Sequence, residues 1–410
     1  MNGHFVWGGT IAPAGDVDYW AITWSDTHCN YDTCTEETSL PILIDIEAQS
    51  INSPADTYIC LYSDDGNELS CSDDTDTLDS MLFYNLEIGR TYYLMVRNLN
   101  QANGGNNYKY QVFVSVPLLL SAAAGNLGTG FVAGIPFQAG DILAWSDFPW
   151  GTYPNVQHEE KWVMLFDLSD LDVKGNVSNL AAGWRNSDNL LLGFAANVNL
   201  PGISGRVTPW EVVTFNPTQI GPNTQGTFQR WWNGKNQGLT LAAEKIDAIE
   251  WPIWNGTTRL LVSTTGTAKV TGVSGTTTKL FDEDVGLWNI TNGRWSLDFD
   301  GSKVEWGISR KDVIAMSFAS YYQSTSRSSI TPKMPDGENI IDYFLVLQGT
   351  AALVNPANGT VVNVNQKDIV EFGEVTYPYH SIMVRWHGPD HGWNYNIDAI
   401  EYLYRRWISN

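Results

Sequence analysis

The fold of this chain is decided by the stretch Ile246-Asp247-Ala248-Ile249-Glu250-Trp251, which returns near the end of the sequence as Ile397-Asp398-Ala399-Ile400-Glu401-Tyr402. A shorter variant, Asp312–Met316, begins a unit between the two copies. Each stretch is short and rich in residues that favour β-structure. The recurrence therefore predicts a series of small β-sheets that follow one another along the chain.

Each repeat spans about 65–75 residues and holds four short β-rich segments. Two further pairs recur in the same order, Leu200–Gly205 with Val270–Gly275, and Gly226–Gly234 with Gly293–Gly301. A small sheet cannot bury both of its faces alone, so such units stack on one another as the blades of a β-propeller. We therefore expect residues 131–410 to form a propeller of four blades. Five blades and a stacked β-sandwich are the alternatives.

The copy at Ile397–Tyr402 stands without the rest of its unit. We expect it to complete the first blade, whose other strands we place near Gly140–Trp145 and Lys161–Leu168. The alignment of the repeats predicts that Asp247, Asp312 and Asp398 occupy one equivalent position in their units. They could line a central channel as paired carboxylates for glycoside hydrolysis, although a role in a repeated turn or strand edge is the interpretation we favour.

Residues 1–117 are predicted to form a separate β-sandwich, followed by a linker at residues 118–130. This first part holds 17 acidic and 3 basic residues, whereas the remainder holds 28 and 20. Six β-rich segments follow one another at the spacing of a sandwich. They are Asp18–Trp24, Leu40–Ala48, Thr57–Tyr62, Met81–Leu86, Thr91–Asn98 and Tyr108–Val116.

All four cysteines, Cys29, Cys34, Cys60 and Cys71, lie in this first part. A two-residue turn at Asp65-Gly66 would place Cys60 opposite Cys71 across a hairpin. Cys29 and Cys34 would then close a short local loop. An even number of cysteines in a small acidic module predicts disulfides and an oxidising compartment. Buried free thiols and a zinc site are the alternatives.

Four motifs occur in order along the first part. They are GDVDYW at Gly15–Trp20, the hairpin DTYICLYSDDGNELSCSDD at Asp56–Asp74, GRTYYLMV at Gly89–Val96 and YKYQV at Tyr108–Val112. Together they resemble the bacterial pre-peptidase C-terminal domain. That resemblance implies a jelly-roll-like sandwich that accompanies secreted proteins and is not itself an enzyme. The repeats at residues 189–318 are similar to a class of repeats in secreted bacterial proteins, and this similarity implies no activity.

Two clusters of polar residues have the donor types of a metal site. Asp73, Asp74, Asp76 and Asp79 are weak candidates for calcium, which prefers carboxylate oxygens. A solvated acidic loop is the alternative. The segment His387–His391 spaces two histidines as zinc ligands on a helix are spaced, but its Gly and Pro residues exclude a regular helix, so a polar loop is favoured. No other cofactor is expected.

Exposed aromatic side chains are the candidates for binding, because outward rings stack on sugars or fill a partner's pocket. The candidates are Trp150, Tyr153, Trp231, Trp232, Tyr321, Tyr322, Trp386 and Trp393. Packing between blades is the alternative role. Four sequons, at Asn176, Asn255, Asn289 and Asn358, would permit glycosylation in a secreted protein.

The formal net charge of −22 disfavours nucleic acid and anionic membranes as partners. No apolar run reaches the roughly 18 residues of a membrane span. The sequence therefore predicts an extracellular or cell-surface protein without a catalytic residue set. Its expected role is structural or binding, through self-association, another surface protein or a glycan. A propeller glycan hydrolase and a lectin are the alternatives.

Overall fold

The computed structural model describes residues 4–23, 39–73, 78–87, 89–123, 129–150, 157–182, 188–251, 253–254, 257–272, 275–303, 308, 311–321, 340–356, 358–376 and 379–402. These residues form β-strands, turns and five short 3₁₀ turns, without an α-helix among them. The 3₁₀ turns are Gln49–Ile51, Leu168–Leu171, Gly234–Gln237, Ala242–Glu244 and Gly388–His391. The described part of the chain contains no helical segment with the length and apolar character of a membrane span.

The N-terminal part, residues 4–115, consists of eight strands. They are β1 (His4–Thr10), β2 (Val17–Thr23), β3 (Ser39–Glu47), β4 (Thr57–Tyr62), β5 (Glu68–Asp73), β6 (Met81–Glu87), β7 (Thr91–Asn98) and β8 (Lys109–Ser115). They form two antiparallel sheets, in the orders β1-β8-β3-β6 and β2-β7-β4-β5. Both sheets contribute to one buried core, for example through Ile44 of β3 and Leu94 of β7. The six predicted strands are present within a residue or two of their expected bounds.

The first of the four motifs is held by the last strand of this part. The Tyr110 hydroxyl donates to the Asp18 carboxylate (2.6 Å) and accepts a hydrogen bond from Trp20 Nε1 (2.9 Å). A side chain at Gly9 would meet the Tyr110 ring at 2.2 Å, so glycine is required for β1 to lie this close to β8. The motif residues therefore join β1, β2 and β8 around one buried tyrosine.

In the C-terminal part, residues 118–402, the described residues form 23 strands. They are β9 (Leu118–Ala122), β10 (Gly130–Val132), β11 (Ile135–Phe137), β12 (Ile142–Trp150), β13 (Gln157–Phe166), β14 (Val177–Ala182), β15 (Leu190–Phe194), β16 (Glu211–Gln219), β17 (Gln225–Asn233), β18 (Ile246–Glu250), β19 (Ile253–Trp254), β20 (Thr257–Thr264), β21 (Ala268–Thr271), β22 (Thr277–Leu280), β23 (Val285–Asn289), β24 (Arg294–Phe299), β25 (Val313–Tyr321), β26 (Ile340–Leu347), β27 (Thr350–Val354), β28 (Val361–Asn365), β29 (Asp368–Thr376), β30 (Tyr379–His387) and β31 (Ile397–Tyr402).

Four antiparallel sheets repeat one plan in this part. The first sheet has the order β31-β9-β12-β13, and the second has β14-β15-β16-β17. The third is β18-β20-β23-β24, with β19 beside β20, and the fourth is β25-β26-β29-β30. We call β31, β14, β18 and β25 the inner strands. Each contacts the next in that order, and β25 contacts β31. The inner strands thus meet around a closed cycle.

One prediction about the first sheet is confirmed and another is wrong. Ile397–Tyr402 completes the first sheet as predicted, since Ile400 pairs with Leu120 of β9. Residues 118–122, however, were assigned to a linker and instead form β9. All five of its residues are buried, because β9 lies between β12 and β31 in the sheet.

An acidic residue begins or immediately precedes the third strand of every sheet in the C-terminal part. Each carboxylate accepts a hydrogen bond from the backbone N–H three residues before it, at 2.6–2.8 Å. The four residues are Asp141, Glu211, Asp284 and Asp368. This feature was not predicted from the sequence, although the acid recurs at one place in every unit. Three separate two-stranded hairpins, β10–β11, β21–β22 and β27–β28, precede this position along the chain in the first, third and fourth sheets.

The two parts of the chain share a buried junction. Leu43 of β3 and Phe83 of β6 lie in the same apolar cluster as Ile142 and Phe166 of the first sheet. The ammonium group of Lys161, on β13, forms ion pairs with Asp45 and Glu47 of β3. The junction therefore combines apolar packing with charges that are largely removed from water.

Candidate functional site

The carboxylates predicted for a central channel lie at the starts of the inner strands. Each inner strand carries a β-bulge, where one residue falls outside the ladder and its side chain is re-aimed. The register breaks fall between Ile397/Ala399, Val177/Asn179, Ile246/Ala248 and Val313/Ala315. Asp247 and Asp398 are thus equivalent bulge residues. The expectation that Asp312 shares their place is wrong, because Ile314 is the bulge residue of β25.

Asp312 nevertheless reaches one of these bulge residues. It immediately precedes β25, and its carboxyl is hydrogen-bonded to that of Asp247. Asn176 immediately precedes β14 in the same way, and its Nδ2 donates to the Asp398 carboxylate. A side-chain contact between a bulge residue and the residue before the next inner strand therefore occurs at two of the four junctions in the cycle.

These two contacts differ in whether they contain a hydrogen-bond donor. Asn176 has its own N–H groups to donate, whereas two ionised carboxylates have none. Asp247 is only 7% exposed. Burial and then the neighbouring Asp312 carboxylate hold the pKa of Asp247 well above its usual range. Burial also raises the pKa of Asp312 and of Asp398, each to about 6. Asp247 is therefore the member of the pair that keeps a proton and donates it to Asp312.

Three of the aromatic binding candidates are buried instead of facing outward. Trp232, Trp386 and Trp393 are 8%, 2% and 0% exposed. Trp393 stacks on Phe137 and on Trp162, with ring centroids 5.3 and 5.6 Å away. With Phe228, Trp232 is one of the two buried residues of β17. These rings therefore stabilise the packing.

The other aromatic candidates have different positions. Trp231 is half-buried, and its ring meets the ring of Trp251 edge to face at 4.3 Å. The side chains of Trp150 and Tyr321, and the whole of Tyr153 and Tyr322, lie outside the described residues.

The two histidines of the His387–His391 segment have separate partners. His387 Nδ1 lies against the Asp368 carboxylate, and His391 Nδ1 lies 2.8 Å from Glu160. The segment itself is a 3₁₀ turn. Its two imidazoles thus bind to different elements of the first and fourth sheets, which agrees with the polar-loop interpretation.

The acidic run is only partly within the described residues. Asp79 accepts hydrogen bonds from the backbone N–H groups of Ala48 (2.9 Å) and Gln49 (3.3 Å). Asp73 ends β5, and Asp74 and Asp76 lie outside the described residues. A calcium site in this run therefore stays a prediction.

The predicted cystine is confirmed. Cys60 and Cys71 lie directly opposite each other on β4 and β5 and are joined by a disulfide. Cys29 and Cys34 lie outside the described residues.

The sequons differ in their surroundings. Asn358 is exposed, whereas Asn176 is engaged with Asp398, and Asn289 accepts hydrogen bonds from two turn N–H groups. Asn255 lies outside the described residues.

Comparison with known proteins finds similarity among solved structures. No family model matches the chain, and no curated protein matches it. Among solved structures, the crystal structure of the pre-peptidase C-terminal domain of collagenase from Bacillus anthracis is similar, at 13% sequence identity and a TM-score of 0.21. The match covers 28% of this chain and 91% of that one.

Proposed function

We propose that this chain is an extracellular, non-enzymatic scaffold protein that acts by self-association. In this proposal the N-terminal part is a disulfide-braced β-sandwich domain, and the C-terminal part is a four-bladed β-propeller closed by β31. The closed cycle of inner strands supports the propeller. The cystine Cys60–Cys71 supports an oxidising compartment, because disulfides persist there and are rare in the cytosol.

The observation that carries the proposal is the buried junction at Lys161. Relative motion between two domains is the default where their interface is small and polar. Here an apolar cluster that includes Leu43 and Phe83 is continuous with the first sheet of the C-terminal part. Separating the domains would also break the ion pairs of Lys161 with Asp45 and Glu47. Two domains held this firmly present their surfaces in one fixed geometry, as a scaffold requires.

A surface for self-association is provided by the hairpin β27–β28. Val354 and Val361 face each other across this hairpin and are 53% and 60% exposed. Among the described residues the hairpin pairs with no third strand. An exposed two-stranded ribbon with apolar side chains is a template for pairing with another chain. We infer that a second copy of the protein binds there.

The enzymatic and sugar-binding alternatives receive less support from the same residues. Glycosidases hold their two carboxyl groups roughly 5–10 Å apart, whereas Asp247 and Asp312 are in hydrogen-bond contact. A lectin needs accessible rings, and Trp386 and Trp393 are buried.

Analytical ultracentrifugation of the full chain over a range of concentrations tests the proposal. We expect oligomers that grow with concentration, and a monomer when Val354 and Val361 are both replaced by Lys. Val6→Lys is the matched control, because Val6 is a similarly exposed valine on β1 (46%). A wild-type protein that stays monomeric at every concentration would contradict self-association, and release of sugars from a polysaccharide panel would contradict a non-enzymatic role.

A further inference from the structure

The junction between the third and fourth sheets contains more buried carboxylate oxygen atoms than groups that can donate hydrogen bonds to them. Both carboxylate oxygens of Asp247 and Oδ1 of Asp312 are buried, and apart from the contact between these two carboxyls no side chain of the described residues donates a hydrogen bond to them. The lysines next to this pair in sequence are engaged elsewhere: Lys245 lies over the Trp210 ring, 6.0 Å from its centroid, and Lys311 donates to the Thr350 carbonyl. No ion pair involves either carboxylate within the described part of the chain.

The opposite junction shows what a satisfied version of this contact looks like. There Asn176 stands where Asp312 stands, and its amide donates to Asp398. The two junctions are alike in their bulges and in the positions of the paired residues. They differ by one amide in place of one carboxyl. The Asp247–Asp312 junction thus has no amide N–H group to donate between its two side chains, whereas the opposite junction has one.

Two adjacent buried carboxylates need a positive charge between them, and either a proton or a cation can supply it. Hard divalent cations take carboxylate oxygens in preference to other ligands, and Ca²⁺ accepts bidentate carboxylates with water completing its shell. The donor set here consists only of oxygen atoms. Asp398 does not converge with Asp247 and Asp312 on one point, so these two residues would be the protein ligands.

We propose that Asp247 and Asp312 bind one divalent cation, Ca²⁺, between β18 and β25. The bound ion joins the third and fourth sheets of the cycle. It does at this junction what the Asn176–Asp398 hydrogen bond does at the opposite one.

Calorimetric titration of the full, chelator-treated chain with CaCl₂ at pH 7.5 tests this proposal, together with thermal unfolding with and without Ca²⁺. We expect binding by the wild type and a higher unfolding temperature in Ca²⁺. Asp312→Asn copies the satisfied junction, so it should weaken binding at this site at least tenfold and remove the effect of Ca²⁺ on unfolding. Asp172→Asn, an exposed acid in a turn, is the matched control and should bind like the wild type.

A second variant keeps the test decisive if Asp312→Asn fails to fold. Asn176→Asp creates a second Asp–Asp junction and should add a second bound Ca²⁺. Because the acidic run at Asp73–Asp79 is another candidate for calcium, Asp74→Asn/Asp76→Asn is titrated in parallel. The proposal is overturned if Ca²⁺ binds Asp312→Asn as it binds the wild type. It is equally overturned if the wild type binds no Ca²⁺, which would leave the shared proton as the only positive charge in the pair.

Discussion

Lys161 of β13 forms an ion pair with Asp45 of β3, and this contact joins the two parts of the chain. Glu47 pairs with the same ammonium group, whose Nζ lies 4.8 Å from the centre of the Phe113 ring. Burial alone would raise the pKa of Glu47, but the charge of Lys161 together with the hydrogen bonds from Lys161 and Ser50 lowers that pKa on balance. The Ser115 and Ser146 hydroxyls meet beside it at 2.8 Å. One lysine therefore neutralises two acids at the centre of the junction.

Removing this lysine should destabilise the protein strongly. Lys161→Ala leaves the mostly buried Asp45 and Glu47 carboxylates without their shared cation, and the loss of one partner from a buried ion pair costs about 3–5 kcal/mol. Urea unfolding of the variant and the wild type measures the difference. Lys109→Ala, at an exposed lysine of β8, should change the stability little. A loss below about 1 kcal/mol in Lys161→Ala would show that the pair is solvated.

Buried residues of β31, the strand that closes the cycle, should stabilise the folded protein as much as other core residues do. Ile400 is 1% exposed and pairs with Leu120, so Ile400→Ala should cost about 2–5 kcal/mol. Ile290→Ala is the matched control, since that isoleucine is 37% exposed in a turn and a surface substitution changes stability by about 0.5 kcal/mol or less. Chemical denaturation compares them, and equal midpoints for the two variants would contradict closure by β31.

The cystine should stabilise the folded chain by restricting the unfolded one. The sequence separation of Cys60 and Cys71 is 11 residues, and a loop of this size corresponds to about 3 kcal/mol in the chain-entropy model. The comparison uses a Cys29→Ser/Cys34→Ser background, so that reduction acts on one bond only. In that background, adding Cys60→Ser/Cys71→Ser and adding dithiothreitol should lower the midpoint equally. A remaining effect of reductant on the fourfold variant would point to another cause.

Stability should fall as the pH rises from about 4 to about 7. Burial raises the pKa of Asp141 to about 7 and that of Asp79 to about 6. In this range the folded protein holds protons that the unfolded chain has released, so raising the pH favours unfolding. The pKa values of Glu47 and Glu211 are lowered, so these acids act only at more acidic pH.

Urea midpoints measured from pH 5 to pH 8 test this dependence. We expect the midpoint to decline across the range and the decline to be smaller in Asp141→Asn, which has no proton to lose. Asp172→Asn should leave the slope as it is in the wild type. A midpoint that rises from pH 5 to pH 8 would contradict the burial of Asp141.

Much of the fold could be predicted because local patterns determine it. Strand positions follow from alternation and turn residues, and the Cys60–Cys71 pairing follows from the length of one turn. The strand at Leu118–Ala122 was missed because a strand covered on both faces shows no alternation. Its apolar run therefore has the same appearance as the end of the preceding strand.

The candidate site was predicted in its residues but not in its geometry. A single bulge shifts the register by one residue, so sequence alignment could not show that Asp312 precedes its strand while Asp247 lies within one. Aromatic candidates such as Trp386 were placed on the surface because a strand pattern cannot show how many layers cover it. The partners of Lys161 lie far away in sequence and leave no local signal.

The pairing of β31 with β9 also determines when the molecule can finish folding. A ribosome adds about 5–20 residues per second, so Leu118–Ala122 emerge roughly tens of seconds before the strand that covers them. Throughout that interval one apolar edge of the nascent chain has no partner. A protein built in this way is most prone to aggregation before its last strand has been synthesised.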